Sequence, residues 1–241
     1  MSLRGLIVAI QFLTRLPTPQ LSESEPGELT RASDWFPVAG ALIGVVVASA
    51  VWAGAHFGPW IGALSGLLSW VLVTGALHLD GLGDVADGLG GAHRVPGRFL
   101  EIVHDPHIGG FGVTAIGLQL LSKLVLLDAI VAASQVPALV LVAAWARWGT
   151  LVLGKVVPPL GEGLGQRFAE GIDWRVVGLH GAVLVAASVM MAPPLLGALI
   201  IVPALAVYWM RRVGGITGDC YGASIEVTET LLLMLLVTLA R

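Results

Sequence analysis

Apolar stretches of near-membrane length recur along this 241-residue chain, at roughly 38–58, 60–79, 108–132, 138–157, 176–192, 194–210 and 222–240. In hydrocarbon, backbone polar groups must be hydrogen-bonded internally, and about 20 residues of α-helix cover the core. The segments therefore read as about seven transmembrane helices: an all-α, polytopic helix bundle forming a single integral membrane domain over residues 1–241. Composition agrees, because 12% of residues are charged where soluble domains carry about 25%. The fifth and sixth segments are short and parted by Ala192-Pro193-Pro194, so they read either as a tight hairpin or as a re-entrant pair.

Residues 3–16 suit the interface better than the bilayer core. Leu3, Leu6, Ile7, Ile10 and Leu13 share one helical face, Arg4, Gln11 and Arg15 the other, and Pro17 and Pro19 follow. The stretch Leu6–Ile10 is too short, and too soon interrupted by Gln11, for a cleavable signal. Arg4, Arg15 and Arg31 precede the first span, Arg94 and Arg98 follow the second, Arg167 and Arg175 the fourth, and Arg211 and Arg212 the sixth. The intervening connections near 59, 133–137 and 193 carry no charge. By the positive-inside rule the N-terminus is cytoplasmic and the C-terminus outside. Segments 78–107 and 211–230 then lie on the cytoplasmic side. A net charge of −3 with no basic run excludes a nucleic-acid partner, and a lone cysteine, Cys220, excludes an intrachain disulfide or a cysteine-based zinc site.

Three constellations carry chemistry. In HLDGLGDVADGLGG (78–91), Asp80, Asp84 and Asp87 are spaced i, i+4, i+7, within one arc of a helix. Like charges at that spacing repel. They read either as a solvated helix end or as oxygen ligands for a hard divalent cation shared with a polyphosphate. In HDPHIGGFG (104–112), Asp105 and Pro106 start a turn, and Gly109 and Gly110 expose amides at a helix N-terminus, with His104 and His107 beside them. This is either a phosphate cradle or a plain turn. In GDCYGASIEVTET (218–230), Asp219 precedes Glu226 and Glu229, one turn apart on the last span. Intramembrane acids are functional by default, though both can also face headgroup water. Lys123 and Arg147 lie deep in spans and either clamp phosphate or make structural pairs. Asp128 and Lys155 are further charges within spans, and Asp34, in an aromatic interface anchor, is a further candidate for the acidic site.

Taken with FLTRLPTP (12–19) and WFPVAG (35–40), these blocks resemble, in order and over nearly the whole chain, the adenosylcobinamide-GDP ribazoletransferase (cobalamin synthase) family. The resemblance implies a Mg²⁺-dependent enzyme of the bacterial or archaeal cytoplasmic membrane. It would join adenosylcobinamide-GDP to α-ribazole or its 5′-phosphate with release of GMP. Its partners would be those two substrates, the lipid bilayer, and a homo-oligomer or other cobalamin-assembly enzymes.

Carried over residue by residue, the metal role falls on Asp80, Asp84, Asp87 and Glu229, and the catalytic role on Asp84, Asp87 and Glu226. Substrate binding falls on His104, Asp105, His107, Gly109, Gly110, Lys123, Arg147 and Asp219. Where the family pattern often has a fixed cation, this chain has His104 and His107. Rival readings are a CDP-alcohol phosphotransferase, an intramembrane prenyltransferase and a small transporter. The chain lacks the aspartate spacings of the first two and shows no internal repeat of the kind common in the third.

Overall fold

The structure, a computed structural model, describes residues 2–19, 21, 28–92, 97–160 and 171–239. Arg94 and Arg167, part of the charge pattern above, lie outside them. Apart from one isolated bridge between Pro159 and Ile216, the described residues form helices joined by turns and short connections.

Helix α1 (Leu3–Leu13) begins where Ser2 Oγ accepts the Gly5 N–H at 3.1 Å, an N-cap that satisfies one orphan donor. It stops short of the expected residue 16 because Thr14 is extended. Its buried residues Ala9 and Leu13 belong to the common core, and it packs on α2 (Glu28–Ser33) and α3 (Phe36–Ala55).

Among the described residues, six helical segments are long and apolar enough to cross a membrane. They are α3, α7 (Gly110–Ala132), α8 (Leu139–Val156), α9 (Trp174–Met191), α10 (Ala198–Arg212) and α11 (Gly218–Leu239). Short 3₁₀ turns at Val136–Ala138 and Pro193–Gly197 lead into α8 and α10. The fifth and sixth expected segments are two separate helices joined through the turn at Pro193–Gly197, each with its turn long and apolar enough to cross a membrane, and both pack on α8. Helix α8 is the axis of the bundle, with Leu139, Trp145, Arg147, Leu151 and Leu153 fully buried. Large apolar side chains such as Leu72, Leu118, Leu179 and Ile200 point outward, as hydrocarbon-facing residues do.

The second expected segment, 60–79, is not one helix. It divides into α4 (Pro59–Thr74) and α5 (Leu77–Gly91), bent by 85°. The pair makes a seventh crossing only if counted as one broken span. Gly75 and Ala76 are both left-handed, at φ 61° and 60°. The Ala76 N–H bonds back to Val71 O at 3.0 Å and the Gly75 N–H to Leu72 O at 3.2 Å, which closes the carbonyl end of α4. Ala76 in that region costs about 1–2 kcal/mol, a strain that surrounding structure must hold. The chain after α1 supplies part of that support, since the Arg15 N–H donates to Val73 O at 2.7 Å. We read α5 as lying outside the six spanning helices, laid across the end of the bundle against α11, α7 and α6 (Arg98–Val103).

The α3–α8 contact depends on Gly40 and Gly44, a small-xxx-small pair. A Cβ on Gly44 would stand 2.5 Å from Val140 Cα, so neither helix can yield by a rotamer change. Gly44→Val should lower stability by about 2 kcal/mol or more, read as a drop in thermal midpoint in detergent. Outward-facing Leu68→Ala should leave the midpoint nearly unchanged.

Candidate functional site

The three aspartates of α5 share a helix but have different surroundings. Asp87 is buried. Its Oδ2 accepts the Gly109 N–H at 2.6 Å and its Oδ1 the Gly112 N–H at 2.9 Å. The N-terminus of α7 thus binds this carboxylate in the place expected for phosphate. A Cβ on either glycine would collide with the carboxylate. Gly110 beside them is exposed, with open space where a side chain would stand. Asp105 accepts from the His107 backbone N–H at 3.0 Å and contacts His107 Nδ1 at 2.7 Å. These bonds hold the Asp105 carboxyl below the usual carboxylate range and shape the exposed turn before α7.

Asp80 is exposed and Asp84 half-buried. Asp219 joins them from the first turn of α11, where its backbone abuts α5: a Cβ on Gly81 would stand 3.0 Å from Asp219 Cα. Burial, then repulsion from Asp80, Asp219 and Asp87, pushes the Asp84 carboxyl up to about 6. His104 lies close enough to exert an attractive field at Asp219. Asp34 neighbours Asp173 and His180 instead.

Among the described residues, no three His, Cys, Asp or Glu side chains close a cage around an ion. The oxygen donors of Asp80, Asp84 and Asp219 still suit magnesium, which keeps several waters and takes one or two carboxylates together with substrate phosphates. Asp87 is less suited, because both its oxygens are already bonded.

The deep charges form a separate network. Lys123 Nζ lies 2.7 Å from Glu226 Oε2 and 2.5 Å from Glu229 Oε2, while Arg147 Nη1 pairs with Glu229 Oε1. Gln119 Nε2 donates to Glu226 Oε2 at 2.7 Å and lies 2.8 Å from Thr230 Oγ1. The ammonium of Lys123 also sits 4.5 Å over the ring of Trp70. All four ionic groups are almost inaccessible. Two cations balance two anions, so the network is locally neutral and has no free charge to offer a phosphate. Both Glu229 oxygens are already paired with cations, which disfavours a metal there. Gln119, Trp70 and His78 are partners that the sequence reading did not single out. A side-chain amide inside an apolar segment, one helical turn before Lys123, was the available signal.

A family model for cobalamin-5-phosphate synthase matches residues 5–237. The chain belongs to that family. It is 51% identical to the adenosylcobinamide-GDP ribazoletransferase of Laribacter hongkongensis, over 99% of this chain and 98% of that protein. Identity is 48% to the protein of the same name from Novosphingobium aromaticivorans, covering 96% of this chain and 95% of the relative. With that from Thiobacillus denitrificans it is 47%, covering 97% and 94%. No solved structure matches the chain. In this cobalamin-5-phosphate synthase family member, the aspartate helix and the start of α11 form one acidic face beside a buried, neutral ion network.

Removing one anion from that network leaves a cation without compensation in a dry interior, at a cost of about 3–5 kcal/mol. Glu229→Gln should therefore lower the thermal midpoint strongly and reduce the monodisperse fraction on size-exclusion chromatography. Asp105→Asn, on the exposed turn, should do neither.

Proposed function

We propose that the chain joins adenosylcobinamide-GDP to α-ribazole or its 5′-phosphate and releases GMP. The observation that carries this is the convergence of Asp80, Asp84 and Asp219, from two helices, on one accessible face. Among the described residues no cation pairs with that face, and burial followed by repulsion from Asp80, Asp219 and Asp87 raises the Asp84 carboxyl. A cation and the diphosphate of a nucleotide are the partners its charge calls for. The family and its named relatives supply the substrate class.

In this reading Asp80 and Asp84 are the residues that would hold Mg²⁺. When bound, the ion neutralises charge on the phosphates and makes GMP a better leaving group. Asp219, half-buried on α11, accepts the proton of the attacking ribazole hydroxyl. The new P–O bond forms at the phosphorus nearer the corrinoid, and the bond to the GMP oxygen breaks. Asp87 holds α5 against the start of α7 and so fixes where Asp84 stands. The exposed Gly110 amide and His104 lie at the same edge and are placed to meet phosphate oxygens. Lys123, Arg147, Glu226 and Glu229 act from beneath, by fixing α7, α8 and α11.

The proposed location is the cytoplasmic membrane, with this face inward. Arg98, Arg175, Arg211 and Arg212 stand at the helix ends on the side that alternation of the spans gives to α5 and the start of α11, and basic ends face the cytoplasm. Against a transporter whose charge pathway would run through Lys123, Asp128, Arg147 and Glu226 stands the pairing of Lys123 with Glu226 and of Arg147 with Glu229.

Incubating purified protein with both substrates and Mg²⁺ should yield a cobalamin product and GMP, detected by mass spectrometry; CMP or pyrophosphate release from the rival families' substrates instead would refute the reading. Asp84→Asn should reduce turnover by at least about 100-fold, the scale of losing a group that acts on developing charge, while the protein still inserts and elutes normally. The Asp84 carboxyl must be ionised to bind metal, and its pKa stands at about 6 rather than 3.8. The Mg²⁺ concentration for half-maximal rate should therefore rise as pH falls through 6 and level off above it. A requirement that stays flat from pH 7 to 5 would remove Asp84 from the metal site.

A further inference from the structure

Arg15 follows α1 and lies across the α4–α5 bend. Its backbone N–H donates to Val73 O at 2.7 Å. Its side chain runs over Gly75, where a Cβ would collide with Arg15 Nε and stand 2.8 Å from its Cγ. Gly75 is thus needed both for its left-handed φ of 61° and for the room it leaves. Arg15 is exposed, and among the described residues its guanidinium makes no ion pair or hydrogen bond. That group stays charged at any physiological pH and carries five N–H donors in a fixed fork. The stem is held and the head is unmatched.

The other cations around α5 are committed or distant. Lys123 and Arg147 are paired with Glu226 and Glu229. Arg98 belongs to α6, whose Phe99 and Ile102 pack on Gly88 and Gly91, about 15 Å along the helix from its start. Arg15 instead stands at the beginning of α5, little more than one turn before Asp80 in the chain. The same bend borders a cavity of about 220 Å³. Leu13 and Leu77 in its lining are two residues from Arg15 and from Gly75, and Asp219 lines it as well. Phe12, Phe36 and Ile225 make its walls apolar. A corrinoid is far too large for this space, so the substrate that reaches both Asp219 and the bend is the acceptor nucleoside.

We propose that Arg15 binds the 5′-phosphate of the acceptor, which makes α-ribazole 5′-phosphate a better partner for this chain than α-ribazole. This rests on the functional reading above and decides between its two acceptors. A phosphate monoester carries close to two negative charges at neutral pH, and Asp80, Asp84 and Asp219 repel it. It is held beside that face only by a cation that the acids do not already neutralise. The guanidinium fork matches two phosphate oxygens. In such a nucleotide the phosphate and the attacking hydroxyl belong to one ribose, so anchoring the first positions the second. The diphosphate of the corrinoid substrate is matched instead by the cation that the aspartates would hold.

The test measures KM for α-ribazole 5′-phosphate and for α-ribazole in proteoliposomes, at saturating corrinoid-GDP substrate and Mg²⁺. Wild type should prefer the phosphorylated acceptor by about ten-fold, the equivalent of 1.4 kcal/mol. Arg15→Gln should erase most of that preference by raising KM for the phosphorylated acceptor. KM for the corrinoid-GDP substrate should move far less. Arg15→Lys, which keeps the charge without the fork, should retain part of the preference. Neither variant removes the backbone bond to Val73, so α1 stays docked. A side chain that only braced the bend would, when replaced, impair both acceptors alike, and a preference that survives Arg15→Gln overturns the proposal. So does an equal KM for the two acceptors in wild type, or a rise confined to the corrinoid-GDP substrate. If neither acceptor yields product, the functional reading falls, and calorimetric titration with α-ribazole 5′-phosphate tests the site alone. Affinity about ten-fold weaker in Arg15→Gln would then support the site, and unchanged affinity would overturn it.

Discussion

Charges buried in the bundle must be neutralised from within, and that constraint orders the rest of the molecule. Lys123 on α7, Arg147 on α8, and Glu226 and Glu229 on α11 can reach one another only if the three helices pack in one register. A slide of one helical turn would strand a charge in low dielectric, at several kcal/mol. The network therefore acts as a register pin more than as glue. Its outermost link is the hydrogen bond between Arg147 and His78, which carries the same registration into α5.

The turn at Gly75–Ala76 is the second determinant. Without it, the aspartates would continue the line of α4 away from the bundle. With it, α5 lies across the bundle end, and Asp87 docks on the first amides of α7. One aspartate of the three is thereby converted from ligand to fastener. The other two remain at the surface, where Asp219 of α11 meets them. The acidic face is thus assembled from two helices whose relative position the network and the bend fix together.

The result separates stability from chemistry. Beneath the face, Lys123, Arg147, Glu226 and Glu229 pair with one another. On the face, like charges stand together, and burial followed by their repulsion raises the Asp84 carboxyl. Such repulsion costs folding energy in the empty protein. In the reaction proposed above, a cation and the substrate diphosphate would relieve it, which would make binding free energy available at the place where charge develops during transfer.

The amino-acid order by itself determined the class of fold, because only helices satisfy their own backbone in hydrocarbon and the apolar segments are long enough to show it. It also located the three motif blocks, since acids, glycines and histidines are conspicuous among aliphatic residues. It did not reveal which acids share a site. Asp84 and Asp219 lie far apart in the chain, and a spacing of i, i+4, i+7 gives no hint that Asp87 will turn toward α7. The break inside 60–79 was hidden as well, since Gly75 is one glycine among 32 and Ala76 gives no warning of a left-handed φ. Lys123 and Arg147 looked equally suited to clamp phosphate or to pair. Tertiary packing alone decided for pairing, because a cation enclosed with carboxylates at contact distance gains more there than it could by reaching to the surface.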